Sequence, residues 1–290
     1  MKKTTRLREL LAQPQILVAP GAHDALSAKI VAKAGFDAVY FTGYGQAASH
    51  LGGPDVGLMT MTEMVMRARN FAAAVDVPVI ADGDTGFGNV INVMRTVQEY
   101  EAAGVAAIQL EDQVAPKKCG HMTGRQVVPL EEMIGKIKAA VSARKDPDFV
   151  IIARTDARTN LGIEEALRRG KAFAEAGADV LFIESPESLE EMKLITSSFD
   201  IPVLANMVEG GRTPLMTAQD LQELGYGLVI FPTSSTYITA QAVTRVMQEL
   251  KASGTTKALL DEMIPFQQFN ELVGLPAVRE IEDKFLLPSK

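Results

Sequence analysis

One phrase recurs along the chain and constrains its fold more than any other feature: a helical pattern ends, a glycine follows, and an apolar run begins within three residues. It reads AKAGFDAVYF at 32–41, YEAAGVAAIQL at 100–110, AEAGADVLFI at 174–183 and QELGYGLVIF at 222–231. A glycine just past an amphipathic stripe ends a helix because it adopts left-handed backbone without steric cost. A near-continuous apolar run bounded by polar turn residues suits a parallel strand covered on both faces. Eight such runs occur, from QILVAPGAHD at 15–24 to GLVIFPTSS at 227–235, and most are separated by segments of helical periodicity. In the segment 88–105, Val90, Val93, Met94 and Val97 fall on one helical stripe, with Gly104 placed to cap its end.

Eight β/α units without a Pro/Ser-rich linker or a charge block predict a single (β/α)8 TIM-type barrel spanning 1–290, with a C-terminal helical extension from about 250. An open doubly wound sheet is the alternative. It is disfavoured because no G-x-G-x-x-G follows the first strand, and the glycines after the third come with two carboxylates. The segment 255–285 reads as an amphipathic tail, suited to subunit packing. A net charge of -7 argues against nucleic acid and anionic membranes as partners and leaves a small metabolite. One cysteine, no apolar signal core and no long apolar run predict a cytoplasmic protein.

In such a barrel the chemistry lies at the carboxyl ends of the strands. The polar residues closing the runs are Thr42, Gly43 and Tyr44; Asp82 and Asp84; Glu111; Arg154 and Asp156; Glu184; Asn206; and Thr233 to Ser235. Asp82 and Asp84, two apart around Gly83, suit a Mg2+ site, since Mg2+ prefers oxygen ligands and keeps waters; D-G-D is also ordinary turn punctuation. Glu111 and Glu184 on other strands strengthen the metal reading, with ligation partly through water. Arg154 offers a fork to a substrate carboxylate, or pairs with Asp156 at the rim. Asn206 either orients a carboxylate or caps a loop. Cys119, in PKKCGHMTGR after the fourth run, is flanked by Lys118, Gly120 and His121, a cationic setting that makes a thiol chemically competent. Two jobs suit it, nucleophile or proton donor to a carbanion.

The motifs GGPDVG, DGDTGFGN, LEDQ, KKCGH, ARTDA and LANMVEGG, in this order, resemble the isocitrate lyase/phosphoenolpyruvate mutase superfamily over nearly the whole chain. The resemblance implies a barrel whose last helix is exchanged between subunits, a homotetramer, and Mg2+, with Mn2+ also accepted, binding a hydroxy- or oxo-dicarboxylate. It implies metal binding through Asp82, Asp84 and Glu111. Substrate would be held by Thr42, Gly43, Tyr44, Gly120, Arg154, Glu184, Asn206 and Pro232, and chemistry carried by Cys119, His121 and Lys118, with Tyr40 or Asp55 as base. The cysteine separates carbon–carbon lyases from phosphonate-forming mutases. The resemblance implies that 2-methylisocitrate lyases carry two arginines for a third carboxylate; here the first falls near Tyr237 and the second near Phe266, in MIPFQQFNEL. An unpaired buried carboxylate costs several kcal/mol, so the resemblance points first to 2,3-dimethylmalate lyases, whose substrate is a dicarboxylate. The 2-methylisocitrate lyases come second; oxaloacetate hydrolases, expected to carry serine at the Pro232 position, rank third together with a phosphonomutase-type activity. A non-catalytic metabolite-binding barrel is the alternative outside enzymes.

Overall fold

A computed structural model of the chain describes residues 1–120 and 124–286. They form two compact units, Met1–Thr236 and Tyr237–Lys290. In the first unit, eight parallel strands follow the eight apolar runs: β1 (Leu17–Ala22), β2 (Val39–Phe41), β3 (Val79–Asp82), β4 (Ala107–Glu111), β5 (Val150–Thr155), β6 (Val180–Ile183), β7 (Leu204–Asn206) and β8 (Leu228–Phe231). Their order is β6-β5-β4-β3-β2-β1-β8-β7, and a parallel bridge between Leu181 and Val203 joins the two outer members, so the sheet closes into the expected barrel.

Around it lie α1 (Lys3–Leu11), α2 (Ala25–Lys33), the short α3 (Gly43–Gln46), α4 (Met61–Ala74), α5 (Val90–Ala102), α6 (Leu130–Ala143), the short α7 (Arg158–Leu161), α8 (Ile163–Glu175), α9 (Leu189–Thr196) and α10 (Ala218–Glu223). α5 shows how the local pattern makes its helix. Asn89 accepts from the Ile91 backbone amide at 3.0 Å, Gly104 follows the end at φ +87°, and Val93, Thr96, Val97 and Tyr100 form the buried face. Val90, expected on that stripe, is the first residue of the helix and is 37% exposed. Each fully buried valine of such a face contributes about 1.5–3 kcal/mol relative to exposure.

Inward-facing side chains of the strands, including Leu17, Ile80, Ile152, Phe182 and Ile230, make one core inside the barrel, and Leu7 and Leu10 of α1 join it. Arg8 of α1 donates to the Asp148 carbonyl at 3.0 Å and pairs with Asp179 at 3.0 Å, which fixes α1 at the amino-terminal end of the strands. That leaves the carboxyl ends for the site. In the second unit, a 3-10 turn (Lys257–Glu262) precedes α12 (Phe266–Leu272) and α13 (Leu275–Phe285), after α11 (Ser234–Ser253), which starts in the first unit. Ile238, Val243, Met247, Phe266, Val278 and Ile281 are exposed along these helices. No helix among the described residues is long and apolar enough to cross a membrane.

Candidate active site

β3 ends on Asp82, and the chain turns at once through Gly83, whose missing Cβ would stand 2.7 Å from Ile108. Asp84 follows in left-handed backbone, φ 48°, with its amide donating to Asp82 Oδ1 at 3.0 Å. The turn therefore presents two carboxylates side by side. Asp82 Oδ2 accepts from the Gly43 amide at 3.2 Å, and a Cβ on Gly43 would fall 2.5 Å from that oxygen, so only glycine fits between β2 and Asp82. Lys117 reaches into the same cluster, with Nζ 2.6 Å from Asp55 and 2.7 Å from Asp84, its side chain only 5% exposed. Burial alone would lower the Lys117 pKa, but Asp84, Asp55, Glu111 and Asp82 outweigh it and hold the ammonium well above its ordinary range. Burial raises Asp84 to about 6 against the pull of Lys117, with Asp82 and Asp55 adding to the rise.

The second half of the site is built on Arg154 of β5. Its Nε and Nη2 donate to the two oxygens of Asp156, each at 2.9 Å, its Nη2 lies 3.1 Å from Glu184, and its Nε lies 3.4 Å from Glu111. The guanidinium also lies 4.8 Å from the centre of the Phe182 ring. Burial would lower its pKa, yet Asp156, Glu184 and Glu111 hold it well above the usual arginine range. The geometry shows the pairing of Arg154 with Asp156, and sets the same guanidinium beside Glu184 and Glu111. Glu184 accepts from the Ser185 amide at 2.7 Å and from Asn206 Nδ2 at 3.0 Å, so Asn206 orients a carboxylate. Asp156 is shared with Arg125, whose side chain is fully buried; burial would raise Asp156, but Arg154 and Arg125 bring it below the ordinary carboxylate range.

The segment after β4 brings Cys119 and Gly120 to this cluster. The Cys119 amide donates to the Asp55 carbonyl at 3.1 Å, and its side chain is half-buried. A Cβ on Gly120 would stand 2.3 Å from Arg154 Nη2 and 2.7 Å from Glu184 Oε2, so the segment lies directly against the Arg154–Glu184 pair. Lys118 is placed differently: its side chain is exposed and donates to the Gly124 carbonyl at 3.0 Å, away from the carboxylates. His121 lies outside the described residues. Tyr40 points inside the barrel, where its hydroxyl donates to Gln109 at 2.9 Å; burial, then Asp82, pushes the phenol well above its ordinary value. Thr42 uses its hydroxyl to cap α3 through the Gly45 amide, and Tyr44 is half-buried in α3. Pro232, buried after β8, comes within 2.5 Å of where a Cβ on Gly21 would stand, and Thr233 donates to Glu209 at 2.7 Å. Tyr237 and Phe266 belong to the second unit, 40% and 84% exposed.

Sequence reading named Lys118 and passed over Lys117. The available signal was the period of two in an extended segment, which places 117 and 119 on the same side. Arg125 and Ser185 were also missed, and no local pattern marks either.

Among the described residues, no group of three His, Cys, Asp or Glu side chains is arranged to hold a metal ion directly. Asp82, Asp84 and Glu111 are therefore not a closed cage of three protein ligands. They fit a Mg2+ ion that takes one or two carboxylates and completes its shell with water and substrate. Glu111 Oε1 is buried without a hydrogen-bond partner, and burial, opposed by Arg154 and aided by Asp156 and Asp82, lifts this carboxyl well above the usual range. An oxygen orphaned among like charges is where a divalent cation or its water is needed.

The family model described as phosphoenolpyruvate phosphomutase matches residues 7–251. The 2,3-dimethylmalate lyase of Eubacterium barkeri is 60% identical over 98% of this chain and 99% of its own length. The 2-methylisocitrate lyase of Halalkalibacterium halodurans is 46% identical over 93% of this chain and 89% of its own. A crystal structure of a 2,3-dimethylmalate lyase superposes with a TM-score of 0.93 at 38% identity, over 98% of this chain and 95% of that one. A phosphonopyruvate hydrolase, solved in complex with oxalate and Mg2+, superposes with a TM-score of 0.90 at 34% identity, over 99% and 100%.

Proposed function

Because the chain belongs to the phosphoenolpyruvate phosphomutase family, we propose that it is a Mg2+-dependent carbon–carbon lyase that cleaves 2,3-dimethylmalate to pyruvate and propanoate. The observation that carries the reading is that the segment bearing Cys119 lies at the site: the Cys119 amide donates to the Asp55 carbonyl, and Gly120 is pressed against Arg154 and Glu184, beside the Asp55–Lys117–Asp84 cluster. A thiol at that position is what separates carbon–carbon lyases from mutases in the motif pattern of the superfamily.

Asp82 and Asp84 would hold Mg2+, with Glu111 acting through water; when bound, the ion supplies Lewis-acid stabilisation to the oxygens of an α-hydroxy acid. Arg154, paired with Asp156, would supply positive charge to the substrate carboxylate at that end, next to Gly43, whose amide holds Asp82. Asp55 accepts the hydroxyl proton in preference to Tyr40, whose phenol is engaged with Gln109 and held protonated by burial. The C2–C3 bond then breaks, its electron pair leaves with the propanoate fragment as an enediolate, and C2 becomes the carbonyl of pyruvate. Cys119 delivers its proton to the carbanion carbon, and the Lys117 ammonium stabilises the negative charge nearby. One proton leaves the hydroxyl and one arrives at carbon, so the reaction is balanced.

A dicarboxylate is favoured over 2-methylisocitrate because, by the resemblance, the arginines of the tricarboxylate lyases fall near Tyr237 and near Phe266, where this chain has no cation. Pyruvate release is expected in the order 2,3-dimethylmalate, 2-methylmalate, 2-methylisocitrate, and to cease on chelation of Mg2+. Turnover of none of these, nor of oxaloacetate, overturns the lyase reading; a preference for 2-methylisocitrate overturns the argument from the missing arginines. The same family membership, with the exposed apolar residues of α11 to α13, supports a homotetramer that exchanges its last barrel helix. Light scattering is expected to give four times the 31.2 kDa chain mass, and a monomer at micromolar concentration rules the exchange out.

A further inference from the structure

The segment Lys117–Gly120 is held at four successive residues by groups from four different places in the barrel. Lys117 Nζ meets Asp55 and Asp84. Lys118 is clamped through its backbone: its amide donates to Gln113 Oε1 at 2.9 Å, and its carbonyl accepts from Gln113 Nε2 at 2.8 Å. The Cys119 amide donates to the Asp55 carbonyl. The Gly120 carbonyl accepts from Ser185 Oγ at 3.1 Å. Gln113 and Ser185 are 2% and 0% exposed, and the Ser185 bond to Gly120 is itself buried away from bulk water.

We propose that Gln113 and Ser185 are positioning residues for Cys119, acting through the backbone on either side of it; the proposal rests on the reading of Cys119 as proton donor. The Gln113 amide copies the two-bond pattern of a strand partner. By fixing the Lys118 backbone it leaves that side chain exposed while Lys117 turns into the cluster, the alternation that a period of two requires, with Cys119 half-buried. Ser185 sits two residues after the end of β6 in left-handed backbone, φ 59°, a conformation unfavourable for a non-glycine residue. That backbone sets its hydroxyl under the Gly120 carbonyl, while its amide binds Glu184. One residue thereby ties the neighbour of the thiol to the carboxylate against which Gly120 is pressed.

Cys119 is the only cysteine in the chain, so its alkylation by iodoacetamide, followed by intact mass, reads its environment without any assumption about turnover. Two variants act on separate bonds. Ser185→Gly removes the hydroxyl while relieving the left-handed strain, so it is expected to fold at least as well as the parent. Gln113→Glu keeps the side-chain volume but sets a carboxylate oxygen against the Lys118 carbonyl. In each, the Cys119 alkylation rate is expected to change by about tenfold or more, and kcat to fall by about tenfold to a hundredfold, by misplacement of a proton donor. Oxalate affinity in the presence of Mg2+ is expected to stay within about twofold, because Arg154 and the metal-side carboxylates are untouched. Alkylation rates in both variants equal to the parent's overturn the proposal, whatever the activity. A changed alkylation rate in a protein that cleaves no malate supports the positioning role and counts against the lyase reading alone.

Discussion

Cys119→Ser is expected to lower the cleavage kcat by about 10²–10⁴-fold, the usual contribution of a placed general acid or base. Serine keeps the size and the backbone bond from the Cys119 amide to the Asp55 carbonyl, so the segment stays where it is. What changes is acidity: a hydroxyl is a far poorer proton donor than a thiol. Binding of pyruvate or oxalate in the presence of Mg2+ is expected to stay within about threefold of the parent, since in the proposed function that end is held by Arg154 and the carboxylates of β3 and β4. Isothermal titration and steady-state assay on the same preparation separate the two effects. Unaltered cleavage removes the proton-donor role, and lost oxalate binding shows that the thiol served the pocket's shape instead.

Lys117→Met is expected to cost about 3–5 kcal/mol of stability in metal-free protein, the penalty of breaking a buried ion pair and leaving its partner charged. Here two carboxylates, Asp55 and Asp84, lose the ammonium that lies 2.6 and 2.7 Å from them, and both are almost wholly buried. Thermal unfolding with and without Mg2+ provides the check. The variant is expected to gain more from Mg2+ than the parent does, because added positive charge now answers an unbalanced cluster. The control is Lys118→Met: that side chain is exposed and, among the described residues, donates to the Gly124 carbonyl, so its substitution is expected to stay within about 0.5 kcal/mol. Equal unfolding temperatures for the two variants would contradict the assignment of Lys117 as the inward lysine.

Most of the barrel was legible from local pattern. All eight strands fall within the apolar runs, because a strand buried on both faces has to be apolar along its length. Gly104, read as a helix stop, takes the left-handed backbone that this role needs. Barrel topology then carried Asp82, Glu111, Arg154, Glu184 and Asn206 to one end, since each closes a parallel strand. Val90 was misjudged because periodicity reports which face is apolar and says nothing of how far a first turn is covered.

By itself, the sequence determined the order of strands and helices, the end of the barrel that carries the polar residues, and the company kept by the single thiol. These depend on neighbours within one or two turns of chain. Tertiary structure alone decided that Lys117 and not Lys118 meets Asp55 and Asp84, that Arg125 shares Asp156 with Arg154, and that Ser185 holds Gly120 from 65 residues away. Those pairings join different strand ends, so they follow from barrel closure and register, and no spacing along the chain records them.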